Sequence, residues 1–261
     1  MTLRTYVLAL AVFCLSACVT TNTVTGRSQF ITIPASQDAS LGLEAMKQVK
    51  ETAPVLTSGF LVNRIRGIGQ RIAPHSDKPG MDWEFVVIDE PVLNAWALPG
   101  GKVAVYRKML DNLNDEELAA VIGHEIAHAV LRHGAEQVSR AQAQQLLIVS
   151  LGAIVASQSE DEKTTQLAVG LGALAAKGFV ALPHSRKMEL EADHIGTIYM
   201  ARGGYDPRSA IRLWQKMARM KEGGSGTPTF LSTHPSDGKR IARLEARMGE
   251  YLAVYNQQRQ R

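Results

Sequence analysis

The sequence predicts an α+β fold: a mainly helical domain carrying one small antiparallel sheet. Three observations point there. Apolar residues recur at steps of three and four over most of the chain, the mark of helices with one buried face. Strand-type patterning is confined to residues 83–107. Directly after it comes a long apolar helix with a recognisable start and stop, Asn114 to about His133. At 261 residues, 45% hydrophobic and 21% charged, the chain can build one real core with appendages.

Taken in order, Met1 to Ala17 has one Arg, an apolar run and then small residues, the layout of a secretory signal too short to span a bilayer. "LSAC" (Leu15 to Cys18) resembles a bacterial lipobox, in which cleavage leaves the cysteine as a lipidated first residue; an uncleaved anchor and an ordinary signal peptide are the alternatives. Cys14 would leave with the signal, so Cys18 would be the only remaining cysteine and no internal disulfide is expected. Residues 18–34 are polar and turn-rich, as in a tether, and residues 35–250 form the domain. Ser36 to about Val49 is helical. Leu56 to Ala73 is a second helix, with Leu61, Ile65, Ile68 and Ile72 on one face. Trp83 to Asp89 is a strand, and Asn94 to Arg107 two short strands around a Pro99-Gly100-Gly101 turn.

Beyond Lys108 the pattern is helical, with loops at 157–165, 203–206 and 222–235. Two apolar stretches, 144–157 and 166–182, fall short of the roughly 20 residues that cross a bilayer and are read as buried or amphipathic helices. The last residues, 251–261, are expected to be a flexible tail. The net charge of +4 comes from scattered rather than clustered basic residues. That argues against nucleic acid as a partner and leaves an acidic partner or a membrane surface open.

The long helix carries chemistry. Asn114 followed by Glu117 is a capping box, and Asp115 and Glu116 suit the positive helix end. Leu118, Val121, Ile122, Ala129 and Val130 supply a core face, and Gly134 is the expected stop. Within "HEIAH", His124 and His128 lie four residues apart and project from one face, where two imidazoles can grip one zinc ion. Glu125 sits about 100° round the helix, poorly placed as a third ligand and well placed as a base toward an attacking water. His133 falls on the opposite face, as a surface or capping histidine. A zinc hydrolase needs a third ligand, and "HSRKMELEADHIG" (184–196) offers His184, Glu189, Glu191, Asp193 and His194. Glu189 and Asp193 share a helix face while Glu191 points some 200° away. Glu189 is therefore the expected ligand, and Asp193 the acceptor for a ligand histidine's free N–H.

Four stretches, "NAWALPGG", "HEIAH", "SRKMELEAD" and "STHPSDGKRIARL", occur in an order that resembles the membrane-associated gluzincin metallopeptidases, the family of the CAAX prenyl protease and HtpX. "TGRSQFITI" is similar to the periplasmic lipoprotein members such as LoiP and BepA. The resemblance implies a gluzincin zinc-metalloprotease fold and one zinc ion per chain held by His124, His128 and Glu189. It implies Glu125 as base, with Asp193 behind the ligands. It also implies that the sheet's edge strand lines the cleft, with Asn94, Ala95, Trp96 and Ala97 holding a protein or peptide substrate as an added strand. His234 and Arg240 correspond to family residues that face the cleft. His234 is either a donor to the oxyanion or a fourth ligand that latches the enzyme off; an exposed histidine at a helix start is the plain alternative.

The implied function is a zinc endopeptidase of the bacterial cell envelope, anchored by lipidated Cys18, with Val19 favouring the outer membrane facing the periplasm. It would act on misfolded or misassembled envelope proteins. The alternative is a chaperone-like factor working with outer-membrane assembly machinery, its zinc latched or structural.

Overall fold

A computed structural model describes residues 19–158, 184–222, 228–235 and 238–260, with the backbone alone at 147–158 and 222. Cys18 and the apolar stretch 166–182 lie outside the described residues. In chain order the elements are β1 (Val19–Thr21), β2 (Ser28–Phe30), α1 (Asp38–Thr52), β3 (Val55–Leu56), α2 (Phe60–Ile72), β4 (Glu84–Ile88), β5 (Ala95–Leu98) and β6 (Lys102–Tyr106). Then follow α3 (Arg107–Asn112), α4 (Asp115–Val130), α5 (His133–Gln158), α6 (Arg186–Arg202), α7 (Arg208–Glu222), α8 (Thr229–Thr233), α9 (Gly238–Ala246) and α10 (Met248–Arg259). The chain divides into two compact units, Met1–Pro34 with Ala135–Leu182, and Ala35–Gly134 with Pro183–Arg261.

In the first unit the expected tether is folded. β1 and β2 pair antiparallel, Val19 opposite Phe30. Arg27 clamps the fully buried Glu136 of α5 through two N–H donors, at 2.9 and 2.7 Å. Gln29 Nε2 donates to the same carboxylate at 3.0 Å, and Arg140 Nη2 at 2.6 Å. The polar composition that suggested a solvated tether instead supplies the partners that a buried carboxylate requires.

In the second unit the sheet order is β3-β4-β6-β5. The pairs β3–β4 and β5–β6 are antiparallel, but the central pair β4–β6 is parallel, Glu84 opposite Lys102 through Ile88 opposite Tyr106. The second strand of the β5–β6 hairpin inserts beside β4 and leaves β5 at the edge. The turn between them closes tightly because Gly100 adopts φ +73°. One face of this sheet buries Met46, Val86, Ile88 and Ala104, with Trp96, Leu98 and Tyr106 packed against them.

Helix α4 is buried on every side from Glu117 to Val130, as expected of a helix apolar all round, and packs with α2, α6, α7 and β5. It stops at Val130, four residues before the expected Gly134. The residue in left-handed conformation is Arg132, φ +56°, whose guanidinium clamps Asp38 at 2.5 and 2.8 Å. That ion pair offsets the cost of a non-glycine residue there. The C-terminal tail is a further correction: through Arg259 it is the helix α10, seated on α6 by the buried Tyr251, whose hydroxyl lies 3.0 Å from His194 Nδ1. Among the described residues, no helix is long and apolar enough to cross a membrane.

Candidate active site

Two helices bring the site together. The capping box at the start of α4 is present in full: Glu117 N donates to Asn114 Oδ1 at 2.9 Å, and Asn114 N donates to Glu117 Oε2 at 3.1 Å. Helix α6 begins at Ser185, whose Oγ accepts from Met188 N at 3.3 Å. Where the two helices cross, Gly123 meets Gly196; a Cβ on either would stand 2.6 Å from the other's carbonyl oxygen. This glycine contact lets the backbones approach closely enough for short imidazole and carboxylate side chains to meet. Neither glycine stands out by motif, although a glycine inside a helix costs about 1 kcal/mol against alanine and is itself a signal of close packing.

His124, His128, Glu189 and His234 then converge, one donor atom from each lying within 4.8 Å of all the others. His124 Nε2 is 3.0 Å from His128 Nε2 and 3.2 Å from His234 Nδ1. Glu189 Oε1 lies 3.2 Å from His234 Nδ1 and 3.4 Å from His128 Nε2, and its Oε2 is 3.4 Å from His124 Nε2. All four side chains are buried.

The cluster fits zinc. Ligand atoms at about 2.0–2.1 Å from a tetrahedral zinc ion are about 3.3–3.4 Å apart, close to these separations. A neutral imidazole has one acceptor nitrogen and one donor, so the facing nitrogens must share protons with one another and with Glu189, whereas a metal ion takes a lone pair from each. A zinc ion satisfies them together. Before it binds, burial drags on the His124 pKa, but the Asp193 and Glu189 carboxylates outweigh it and lift it to about 9. Burial pushes Glu189 up, yet His234 and Arg240 hold it well below the usual carboxylate range, so it presents a charged ligand.

Glu125 is almost fully buried, and its Oε1 has no hydrogen-bond partner; His234 Nε2 is 3.4 Å away. Burial raises its pKa, opposed chiefly by His234 and His124, which moves a carboxyl toward the range useful to a general base. Asp193 Oδ1 lies 3.1 Å from His124 Nδ1, the expected orienting contact, though off the ideal hydrogen-bond line. Arg240 is buried behind the ligands. Its guanidinium grips Asp193 at 2.6 Å twice and Glu189 Oε2 at 2.7 Å, and lies 3.6 Å over the ring of Trp214. Trp214 Nε1 also donates to Asp193 at 3.2 Å. Arg240 thus braces the carboxylates of Asp193 and Glu189.

His133 is neither at the surface nor a cap. It is fully buried, and its Nδ1 lies 3.0 Å from Nδ1 of His128. Helical spacing misplaced it because the turn at Arg132 breaks the helix between the two histidines. His184 stacks on the His128 ring at 4.2 Å between centroids.

Strand β5 runs beside α4. Tyr106 N donates to Asn94 O at 3.0 Å, so by antiparallel alternation the main-chain groups of Ala95 and Ala97 point away from β6. Asn94 and Ala95 are buried, and Trp96 packs on the sheet core. Asn94 also accepts from Thr233 Oγ1 at 3.4 Å, next to His234.

Comparison with known proteins agrees with this geometry. The mitochondrial metalloendopeptidase OMA1 of Arabidopsis thaliana is 39% identical over 189 residues, 71% of this chain and 36% of its own length. The Schizosaccharomyces pombe protein of that name is 40% identical over 177 residues, 67% of this chain and 50% of its own. The beta-barrel assembly-enhancing protease of Escherichia coli K12 is 27% identical over 220 residues, 83% of this chain and 45% of its own. The chain thus spans about a third to a half of the length of these curated relatives. The signature of peptidase family M48 matches residues 62–248 and encloses all four residues of the cluster, and the chain belongs to that family.

Proposed function

We propose that the chain is a zinc-dependent endopeptidase that cleaves misfolded or misassembled proteins of the bacterial cell envelope, anchored there through lipidated Cys18. The observation that carries the hydrolase reading is the buried carboxylate of Glu125, its Oε1 without a hydrogen-bond partner, beside the His124–His128–Glu189 cluster. His124, His128 and Glu189 would hold the zinc ion, which when bound would supply Lewis acidity toward the peptide carbonyl and lower the pKa of the attacking water from 15.7 toward about 7. Glu125 takes the proton from that water and returns it to the leaving amine. Asp193 and Arg240 keep His124 and Glu189 in place. The outward main chain of Ala95 and Ala97 holds the substrate as an added strand, a mode tolerant of sequence and suited to damaged proteins.

His234 has a second role in this reading. Its Nδ1 sits among the ligand atoms, and four protein ligands close a zinc site whereas three leave a position for substrate. The position of His234 Nδ1 supports reading this conformation as a latched state. The same observation favours the rival reading, a chaperone-like assembly factor with structural zinc. The envelope setting is supported by the lipobox-like "LSAC" and by the likeness to the beta-barrel assembly-enhancing protease of Escherichia coli; the mitochondrial relatives support the chemistry alone.

The test measures zinc content and casein cleavage for the wild-type chain and Glu125→Gln. The expected outcome is one zinc in both and a loss of about 100-fold or more in kcat/KM in the variant. Equal cleavage by both removes Glu125 as base; tightly held zinc with no cleavage, even after His234→Ala, supports the structural reading. Comparing the envelope proteomes of cells carrying active and Glu125→Gln enzyme then identifies the substrates.

A further inference from the structure

The two ligand histidines of α4 are held by different devices. His124 has a carboxylate at its Nδ1 directly, Asp193 at 3.1 Å. His128 does not. Its Nδ1 faces Nδ1 of His133 at 3.0 Å, and Nε2 of His133 lies 3.2 Å from Glu191 Oε2. His128 and His133 are buried to 3% and 0% exposure, and Glu191 sits at the rim with a side chain 16% exposed.

We infer that His133 and Glu191 are positioning residues for the zinc ligand His128, joined to it in a one-directional hydrogen-bond chain. The direction follows from valence. His128 turns Nε2 toward the ligand cluster, so when that nitrogen ligates, the ring's single proton sits on Nδ1. The Nδ1–H then donates to His133 Nδ1, which must be the bare nitrogen. His133 therefore carries its proton on Nε2 and donates it to Glu191. The chain has one consistent tautomer for each ring, and zinc binding selects it. Stacking by His184 fixes the plane of the His128 ring, but only an acceptor at Nδ1 fixes which nitrogen is bare.

The tight turn at Arg132 is what makes the contact possible. It ends α4 and starts α5 at His133, folding that residue back onto the helix face it had just left. Spacing along α6 supports the division of labour: Glu189 ligates, Asp193 serves one ligand histidine, and Glu191, off their common face, reaches the other through an intermediary.

The inference rests on the zinc site proposed above, and the experiment separates the two. Zinc affinity of the full chain is measured by chelator competition for wild type, His133→Phe, His133→Asn and Glu191→Ala, with thermal unfolding of each metal-free protein. His133→Phe keeps the bulk of a ring and removes the acceptor, so affinity is expected to fall about 10–100-fold. His133→Asn restores an acceptor oxygen at nearly the same place and is expected to recover most of that loss, which a purely space-filling role would not allow. Glu191→Ala is expected to weaken zinc by a smaller factor while leaving metal-free unfolding unchanged. In the zinc-loaded wild type, nitrogen NMR is expected to find His133 protonated at Nε2. A His133 protonated at Nδ1, or equal affinities across all four proteins, overturns the relay while the zinc site stands. A wild type that takes up no zinc overturns both. If His133→Phe does not fold, Glu191→Ala and the wild-type tautomer still decide the matter.

Discussion

His234 is the residue whose substitution is expected to be most informative about activity. Its ring touches both functions of the site: Nδ1 lies among the ligand atoms and Nε2 lies toward Glu125. A latch and an oxyanion donor make opposite predictions for one substitution. As a latch, His234→Ala raises basal casein cleavage; as a donor to the oxyanion it lowers kcat by about 100-fold. The ligand distances favour the rise, and kcat measured beside zinc content decides it. Activity unchanged within error would remove both roles. Glu189 illustrates how far local spacing reaches. Its place one turn before Asp193 is visible in the sequence, but that Arg240 pins one of its oxygens at 2.7 Å is a tertiary fact.

At the scale of elements, the decisive contact is the crossing of α4 and α6. Gly196→Ala would place a methyl group 2.6 Å from the Gly123 carbonyl oxygen, so the helices must separate. The expected cost is about 1–3 kcal/mol of stability. A fall in zinc affinity is expected with it, because His124 and Glu189 sit on either side of the crossing. Chemical denaturation with a parallel zinc titration checks this, and a variant as stable and as tight as wild type would show that the crossing can relax. The hairpin–α5 contact in the other unit gives a second expectation. Burial pushes the Glu136 pKa up, but Arg27, Gln29 and Arg140 together bring it below its usual value. A depressed carboxylate stabilises the fold above its unfolded pKa, and that contribution fades as the pH drops through the folded pKa. Arg27→Ala should therefore lower stability at neutral pH, by up to about 3 kcal/mol for a buried carboxylate stripped of its main partner, and flatten the acid limb of the stability curve. An acid limb identical to that of wild type would show that Arg140 and Gln29 suffice.

For the molecule as a whole, zinc is expected to contribute to the stability of the fold. The second unit crowds the imidazoles of His124, His128 and His234 and two carboxylates into its interior, and a metal ion turns that unfavourable arrangement into a stabilising one. Removal of zinc by a chelator is expected to lower Tm and to restore it on readdition; a Tm indifferent to chelation would mean that the cluster is satisfied without metal.

Much of this was written in short stretches of sequence. The capping box, the pairing of His124 with His128 across one turn, Glu125 beside them and Glu189 with Asp193 on one face all depend on helical periodicity, a local property that a few residues encode. The strands β4, β5 and β6 within residues 83–107 were legible in the same way, whereas β1, β2 and β3 lie outside that stretch and were not. Tertiary structure decided what spacing cannot express. It brought His234 within 3.2 Å of His124 from 110 positions away, inserted β6 parallel to β4, and bound residues 19–34 to α5. It also turned His133 inward, because one residue in left-handed conformation cancels a helical extrapolation. Periodicity holds only while the helix continues; where it breaks, the direction of the next side chain is set by long-range partners such as the Asp38 that clamps Arg132.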